Sequence, residues 1–182
     1  MQGKKYMGNM ENYFGPPSQA FQNALDASIP VKPSGKEWEL VYDSDFSNPA
    51  ELDKWLVTAG IWEVSAGALR CKTDSRVLFR QSVPGYQRIE FTAQALPEAD
   101  GLVSDLSVFL QVPAEGDSLN TGYFFQFGGM GNTLHKIIRK GNTLWEDNQP
   151  QIRITAGQKH QIVVENDEGL LRLSVDGKEL RT

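Results

Sequence analysis

Apolar and polar side chains alternate along most of this chain, in short runs separated by turn-forming residues. In the clearest run, Tyr123, Phe125 and Phe127 occupy every second position, and Phe124 and Gln126 lie between them. Because successive side chains of a strand point to opposite faces, the first three share one face and the other two share the opposite face. Repeated short runs of this kind predict an all-β protein built as a two-sheet antiparallel β-sandwich.

The same pattern predicts strands at residues 37–42, 61–64, 68–72, 77–81, 87–95, 105–112, 122–127, 134–140, 151–155, 160–165, 170–175 and 178–181. Ala66-Gly67 and Asp176-Gly177 are predicted two-residue hairpin turns, since glycine in such a pair supplies the positive φ that these turns require. Asn48 before Pro49 predicts one helical turn, because asparagine caps helix N-termini and proline fits the first turn.

A central hairpin is predicted around residues 128–132, where glycine and asparagine allow the positive φ angles of a reversing chain. The loop length suggests that Phe127 pairs with Leu134. In that register His135 lies opposite Gln126, on the face away from the predicted core. A slip of one residue would exchange the faces.

The strand at residues 105–112 extends both faces of this hairpin. One face is wholly apolar and is the predicted core. The opposite face mixes aromatic rings with amides and cationic groups, which suits a hydroxyl-rich ligand because an amide both donates and accepts hydrogen bonds. Its candidate binding residues are Phe109, Gln111, Phe124, Gln126, His135 and Arg139. Trp145, beside acidic residues in a predicted loop, is a seventh candidate, since its flat ring could stack on a sugar.

Each candidate also has a structural interpretation. His135 and Arg139 could be solvated cross-strand residues. Phe109 and Phe124 would form an apolar patch that needs a cover, which could be a ligand, a partner or another part of the chain. Trp38, Trp55 and Trp62 are expected in the core, and they are the remaining tryptophans of the sequence.

Residues 1–36 differ in composition from the rest and contain several glycine and proline breakers. Residues 18–27 have apolar side chains at helical spacing and predict a short helix, whose Phe21 and Leu25 could cover the aromatic patch. We therefore expect a leader at residues 1–36, ending in a linker, and a β-sandwich domain at residues 37–182.

Composition excludes several classes of function. The net charge of −5 is scattered, without the basic stripe that tracks nucleic-acid phosphates. No apolar run is long enough to span a membrane, and no secretion signal is recognisable. Cys71 is the only cysteine, so no internal disulfide is possible. His160 has no ligand partner at metal spacing, and no phosphate loop or dinucleotide motif occurs, so we expect no metal or cofactor.

Three segments together resemble a known superfamily. Residues 60–69 follow the pattern G-x-W-x-V-x-x-G-x-L, residues 120–125 resemble an N-S-G-x-F-F strand, and residues 157–177 resemble paired hairpins ending in V-D-G. In this order they are similar to concanavalin A-like lectin/glucanase domains, particularly those related to keto-disaccharide hydrolases and laminin-G-like modules. The resemblance covers residues 37–182. It implies a jelly roll whose concave sheet binds polysaccharide or oligosaccharide, in an extracellular or periplasmic protein.

The expected function is therefore non-catalytic glycan recognition. The Glu-x-Asp-x-Glu strand of the glucanases of this superfamily is absent, and residues 134–139 replace an acidic strand of the hydrolases. A glycoside-cleaving enzyme with carboxylates from separate strands, such as Glu63, Glu90 or Glu165, is one alternative. A structural or protein-interaction module is the other.

The resemblance also implies one more strand after the last hairpin. We therefore expect the domain to be truncated at its C-terminal end, or its open sheet edge to be covered by the N-terminal segment or by a second copy of the chain, since unpaired edges promote self-association.

Overall fold

The structure of the chain is a computed structural model, and it describes residues 37–72, 75–97, 101, 103–112 and 121–181. The leader, with its predicted helix at residues 18–27, lies outside the described residues.

A 3₁₀ helix, Pro49–Lys54, precedes the first strand. The strands are β1 Trp55–Ala59, β2 Trp62–Ser65, β3 Ala68–Cys71, β4 Arg76–Phe79, β5 Gln87–Gln94, β6 Leu106–Leu110, β7 Tyr123–Gly128, β8 Leu134–Arg139, β9 Asn142–Asp147, β10 Lys159–Asp167, β11 Leu170–Val175 and β12 Lys178–Arg181.

Two four-stranded antiparallel sheets form the body of the protein. Sheet I has the strand order β6-β7-β8-β9, and sheet II has the order β12-β11-β10-β5. Two further pairs, β1-β4 and β2-β3, complete the described strands. The inner faces of the large sheets meet where the Phe127 ring of β7 contacts the His160 ring of β10, with centroids 5.5 Å apart. The predicted all-β antiparallel sandwich is thus confirmed.

The core lies between sheets I and II. Tyr123, Phe125 and Phe127 are buried, whereas Phe124 and Gln126 are half-buried on the outer face, as the alternation predicted. The buried apolar cluster consists of Ala95, Leu110, Tyr123, Phe125, Phe127, Ile137, Ile154, Ile162, Val164, Leu173 and Val175.

Both predicted hairpin turns are confirmed. Asp176 and Gly177 have φ angles of 52° and 75°, and Ala66 and Gly67 have similar values, so each turn has two positive φ angles. The helical turn is confirmed as well, because Asn48 Oδ1 accepts a hydrogen bond of 3.0 Å from the backbone N–H of Ala50.

Two predicted strands are wrong. Residues 37–42 have no strand, since no neighbouring strand pairs with them within the described chain, and Leu40 remains 78% exposed. Tyr42 instead packs in an aromatic cluster with Trp55 and Phe79. Residues 151–155 also lack a strand, because side chains rather than a backbone ladder satisfy their polar groups.

Strands β1 and β9 were not predicted. Strand β9 follows a tight turn at Lys140 and Gly141, whose φ angles are 51° and 76°. Strand β12 pairs only with β11 in the described part of the chain, so it is an edge of sheet II there.

The predicted register of the central hairpin is wrong by one residue. Phe127 pairs with His135, not with Leu134, and Gln126 pairs with Lys136. An isolated bridge between Gly129 and Leu134 accompanies this register and leaves residues 130–133 as the turn. Because strand faces alternate, the slip moves His135 and Arg139 to the inner face.

Truncating Phe125 should destabilise the protein more than truncating Phe124, although both lie on β7. Phe125 is 1% exposed, and Phe125→Ala should lower the free energy of unfolding by about 3–5 kcal/mol. Phe124→Ala is the matched control and should cost less, because its ring is half-buried on the outer face. Urea unfolding of both variants measures this, and a larger loss for Phe124→Ala would contradict the face assignment.

Candidate functional site

The outer face of sheet I carries a row of apolar side chains across its strands. Phe109 of β6 pairs with Phe124 of β7, which pairs with Ile138 of β8. The rings of Phe109 and Phe124 stack with centroids 4.5 Å apart and planes inclined by 26°. Such offset stacking stabilises the pair beyond its burial and gives the face a rigid apolar centre.

A polar row lies beside the apolar row. The strand pairing places Ser107, Gln126, Lys136 and Glu146 next to one another across β6, β7, β8 and β9. Gln126 Nε2 donates a hydrogen bond to the Asp105 carboxylate. Because a carboxylate accepts only, this bond fixes the orientation of the amide and leaves Gln126 Oε1 as an acceptor.

Two polar atoms of this row are buried without a partner. Within the described part of the chain, neither Gln126 Oε1 nor Ser107 Oγ has a hydrogen bond. A buried polar atom without a partner costs about 1–3 kcal/mol, so native proteins retain few of them. The outer face of sheet I therefore contains an acceptor and a hydroxyl group whose hydrogen-bonding capacity is unused among the described residues.

A cleft of about 220 Å³ adjoins the polar row at the end of sheet I. It is lined by Val103, Ser104, Asp105, Gly128, Gly129, Met130 and Gly131. A Cβ added to Gly129 would lie 2.5 Å from Gln126 Cδ, so the amide packs directly against this glycine. Asp105 links the two regions, since it lines the cleft and accepts the hydrogen bond from Gln126.

The loop at residues 128–132 has a left-handed backbone. Met130 has φ 51° and ψ 52°, and Gly131 has φ 66° and ψ 40°. A left-handed conformation costs a residue other than glycine about 1–2 kcal/mol, and such strain is concentrated at functional sites. Met130 is 74% exposed, which places a flexible apolar side chain at the rim of the cleft.

Three side chains hold this loop in place. Thr133 Oγ1 donates to the Met130 carbonyl at 2.8 Å. Asn132 Oδ1 accepts from the Ile154 N–H at 2.9 Å, and Asn132 Nδ2 donates to the Ile154 carbonyl at 2.7 Å. His135 Nδ1 accepts from the Gly128 N–H at 3.1 Å, and His135 Nε2 lies 2.8 Å from the Ile152 carbonyl. The cleft is thereby attached to residues 152–154.

His135 is fully buried and is not part of the outer face, contrary to the sequence prediction. Its hydrogen bonds fix the neutral tautomer, because Nδ1 accepts a hydrogen bond from the Gly128 N–H and Nε2–H donates one to the Ile152 carbonyl. Burial lowers the pKa of His135 below its ordinary value, against the opposing effects of the Ile152 carbonyl and the Asp147 charge. Its role in the site is to position the loop.

Arg139 also lies on the inner face. Its Nη1 donates to the Tyr123 hydroxyl at 2.5 Å, and its guanidinium carbon lies 4.3 Å from the centre of the Tyr123 ring. Both contacts follow from the observed register, in which these two residues are directly paired. The prediction that Arg139 and His135 lie on the outer, binding face is wrong, because both lie opposite inward residues of β7.

Gln111 and Trp145 lie away from the two rows. Gln111 has φ 55° and directly follows β6, and its side chain donates to the Gly85 carbonyl at 2.8 Å. Trp145 is on β9, where it pairs with Ile137 and packs against the core cluster, so the predicted loop position is wrong.

Of the seven sequence candidates, the structure brings together Phe109, Phe124 and Gln126 on the outer face of sheet I. Sequence reasoning did not select Asp105, Ser107 or Lys136. Asp105 and Ser107 occupy alternate positions before Phe109. The alternation that selected Phe109 could therefore have selected them as well. Lys136 could be assigned only from the observed register.

Three carboxylates were named for a glycoside-cleaving enzyme, and two of them, Glu90 and Glu165, share Arg88 as a partner. Arg88 binds Glu90 at 3.1 Å and also forms a short ion pair with Glu165. Arg172 binds the second oxygen of Glu165 at 2.9 Å. Burial lowers the pKa of Arg88, but both carboxylates outweigh this effect and raise the pKa above its ordinary value. Glu63 is hydrogen-bonded to Ser65 on β2 instead.

Buried His160 forms a polar pair with exposed Asp176. His160 Nδ1 lies 2.8 Å from Asp176 Oδ2, and Asp176 Oδ1 accepts from the Gln161 N–H at 2.9 Å. These contacts attach the Asp176-Gly177 turn to β10. The histidine and the aspartate of the segment at residues 157–177 are therefore structural partners.

In the described residues, no group of three or more His, Cys, Asp or Glu side chains is arranged to hold a metal ion. No helix in the same part of the chain is long and apolar enough to cross a membrane. Comparison of the chain with protein-family models and with curated proteins finds no match.

Asp176→Asn should weaken the attachment of this turn while leaving its backbone unchanged, because Asn-Gly favours the same turn. Burial raises the pKa of Asp176, but hydrogen bonds from His160 and Gln161 outweigh it and lower the pKa below about 3.8. A lowered carboxyl pKa stabilises the folded state above the unfolded value and loses that effect as pH falls through the folded value. The substitution should cost about 1 kcal/mol at pH 7, and the difference should shrink below about pH 4.

Urea unfolding at pH 7 and pH 3 measures both effects. In a His160→Gln background the same substitution should cost less, since the partner is gone. Equal losses at both pH values would show that the carboxylate charge does not stabilise the turn.

Proposed function

We propose that this protein binds a polysaccharide or oligosaccharide on the outer face of sheet I and in the adjoining cleft, without cleaving it. The observation that carries the proposal is the pair of unpartnered buried atoms, Gln126 Oε1 and Ser107 Oγ, beside the stacked rings of Phe109 and Phe124. A ligand that supplies both hydroxyl groups and an apolar surface would satisfy all of these groups together.

A pyranose ring has this combination of surfaces. Its C–H face packs on aromatic and aliphatic side chains, and its hydroxyl groups donate and accept hydrogen bonds. Both atoms are buried, so binding requires a small movement of the side chains that cover them. Gln126 Oε1 would then accept from one hydroxyl group, and Ser107 would donate to another or accept from it. The Asp105 carboxylate in the cleft is a further acceptor.

The spacing along β6 suits a short oligosaccharide. Asp105 precedes β6, and Ser107 and Phe109 follow at intervals of two residues on the same face. Two residues of a strand span about 7 Å, so the cleft, the polar row and the apolar row extend over about 14 Å. The cleft would bind one end of the ligand and the stacked phenylalanines the other.

The resemblance to concanavalin A-like lectin/glucanase domains agrees with this location. The segment at residues 120–125, which carries part of the resemblance, leads into β7 at the centre of the site. We infer that residues 37–182 form a jelly roll of this type and that the outer face of sheet I corresponds to its glycan-binding sheet.

Glycan cleavage is the less favoured alternative. Glu90 and Glu165 lie on sheet II, and each carboxylate is already bound to a guanidinium. An acid and a nucleophile in a glycosidase need different protonation states next to the scissile bond. Glu90 and Glu165 instead face guanidinium groups, which occupy oxygens of both carboxylates. A module without any glycan site is the remaining alternative.

A glycan array, combined with mass spectrometry of the incubated glycans, tests the function directly. Binding without new products is the expected result. Products released by the wild-type protein would support a glycoside hydrolase. Neither binding nor turnover on a broad array would favour a structural or protein-interaction module.

For a glycan found on the array, Phe124→Ala and Gln126→Ala should each weaken binding about ten-fold, the effect of losing roughly one net hydrogen bond or ring contact. The melting temperature should stay within a few degrees, because these side chains face outward. Gln161→Ala is the matched control, since Gln161 is an exposed glutamine on sheet II. Isothermal titration calorimetry measures the affinities. Equal losses for Gln126→Ala and Gln161→Ala would refute the location on sheet I.

A further inference from the structure

The two histidines of the chain are both buried, and each accepts a hydrogen bond from a backbone N–H. His160 Nε2 accepts from Thr155 at 3.4 Å, and His135 Nδ1 accepts from Gly128 at 3.1 Å. The second bond holds the cleft loop. His160 Nδ1 faces the Asp176 carboxylate, which can accept a hydrogen bond from either the neutral or the charged ring. His135 Nδ1 faces the Gly128 N–H, which is a donor. A proton on His135 Nδ1 would place two donors against each other and break this bond.

Gly128 is also the first residue of the cleft loop. Its N–H is held by His135, and its neighbours Gly129, Met130 and Gly131 line the cleft together with Asp105. The left-handed backbone at Met130 is strained, and hydrogen bonds hold it in this shape, including the bond that Thr133 Oγ1 donates to the Met130 carbonyl at 2.8 Å. Asn132 supplies two further bonds, to Ile154.

We propose that His135 is a proton-sensitive latch for the cleft, which holds the loop at residues 128–132 when the imidazole is neutral and releases it when the imidazole is protonated. The latch controls glycan affinity only if the cleft binds glycan, so that part rests on the proposed function. The loop movement itself does not.

The charged groups around His135 are few. On β9 the Asp147 carboxylate pairs across the strands and favours the protonated ring, and Arg153, next to Ile152, disfavours it. On β7 the neighbour is the Phe127 ring, at 4.8 Å, and His160 of β10 lies on the far side of that ring. Burial has the largest effect and lowers the pKa of His135.

Because the pKa of His135 is lowered, the effect of pH on the latch has a definite sign. The unfolded chain binds a proton at His135 below about pH 6.5, whereas the folded chain does so only at lower pH. The neutral latch is therefore fully formed above about pH 6.5. It weakens as pH falls below that value and opens as pH passes through the folded pKa.

Nuclear magnetic resonance of the full chain without ligand tests the latch. The probes are the Gly128 amide, the Met130 methyl group, the two histidine rings and, as a core reference, the Ile162 methyl groups. Titration from pH 8 to pH 5 should shift the Gly128 and Met130 signals together with the His135 ring, with a midpoint below about 6.5. The Ile162 signals should stay unchanged.

Two variants separate the histidines. His135→Asn keeps an acceptor near Gly128 but cannot titrate, so the loop signals should become independent of pH. His160→Gln is the matched control and should keep the transition. Loop signals that stay constant while His135 titrates would overturn the latch, and so would loop signals that change only together with Ile162. If His135→Asn does not fold, the wild-type titration alone tests the latch. Coinciding midpoints for the His135 ring and the Gly128 amide would support it, and different midpoints would overturn it.

For a glycan that binds the wild-type protein at pH 8, affinity should fall about ten-fold at one pH unit below the loop midpoint, because only about a tenth of the molecules then keep the closed loop. His135→Asn should lose this dependence. An affinity that does not follow the loop transition would overturn control of the cleft by the latch. Absence of glycan binding at every pH would refute the proposed function, while the ligand-free titration would still decide the latch.

Discussion

The packing of one aromatic ring between two buried imidazoles connects the parts of this molecule. Phe127 is fully buried, with the His135 ring 4.8 Å away on sheet I and the His160 ring 5.5 Å away on sheet II. Each imidazole then binds a different element, Ile152 and the Asp176 turn respectively. The sandwich interior thus supports the loops at its edge, and the candidate site depends on this contact.

Buried polar side chains replace a missing backbone ladder beside the core. Residues 152–154 form no strand, yet their polar groups are paired with Asn132 and His135. This satisfies the requirement that buried peptide groups be hydrogen-bonded. It also couples the cleft loop to the rest of the chain through two side chains. An arrangement of this kind can change when one side chain changes its charge, whereas a continuous strand ladder cannot.

The candidate site was predictable in part. Phe109, Phe124 and Gln126 were correctly placed on one outward face, because alternation along β6 and β7 is a local property. His135 and Arg139 were misplaced, because one residue of register between β7 and β8 decides the face for every side chain of β8. Trp145 was misplaced because the tight turn at Lys140 and Gly141, which begins β9, was not recognised.

The sequence alone determined the strand content, both predicted two-residue turns and the inward face of β7, since each depends on neighbours within a few residues. Only the tertiary structure decided which strands pair and with what register, because pairing joins residues distant in sequence. The segment at residues 37–42 alternates but has no partner strand among the described residues, and it forms none. The role of His135 was decided in the same way, because its hydrogen-bond partners, Gly128 and Ile152, lie 7 and 17 residues away.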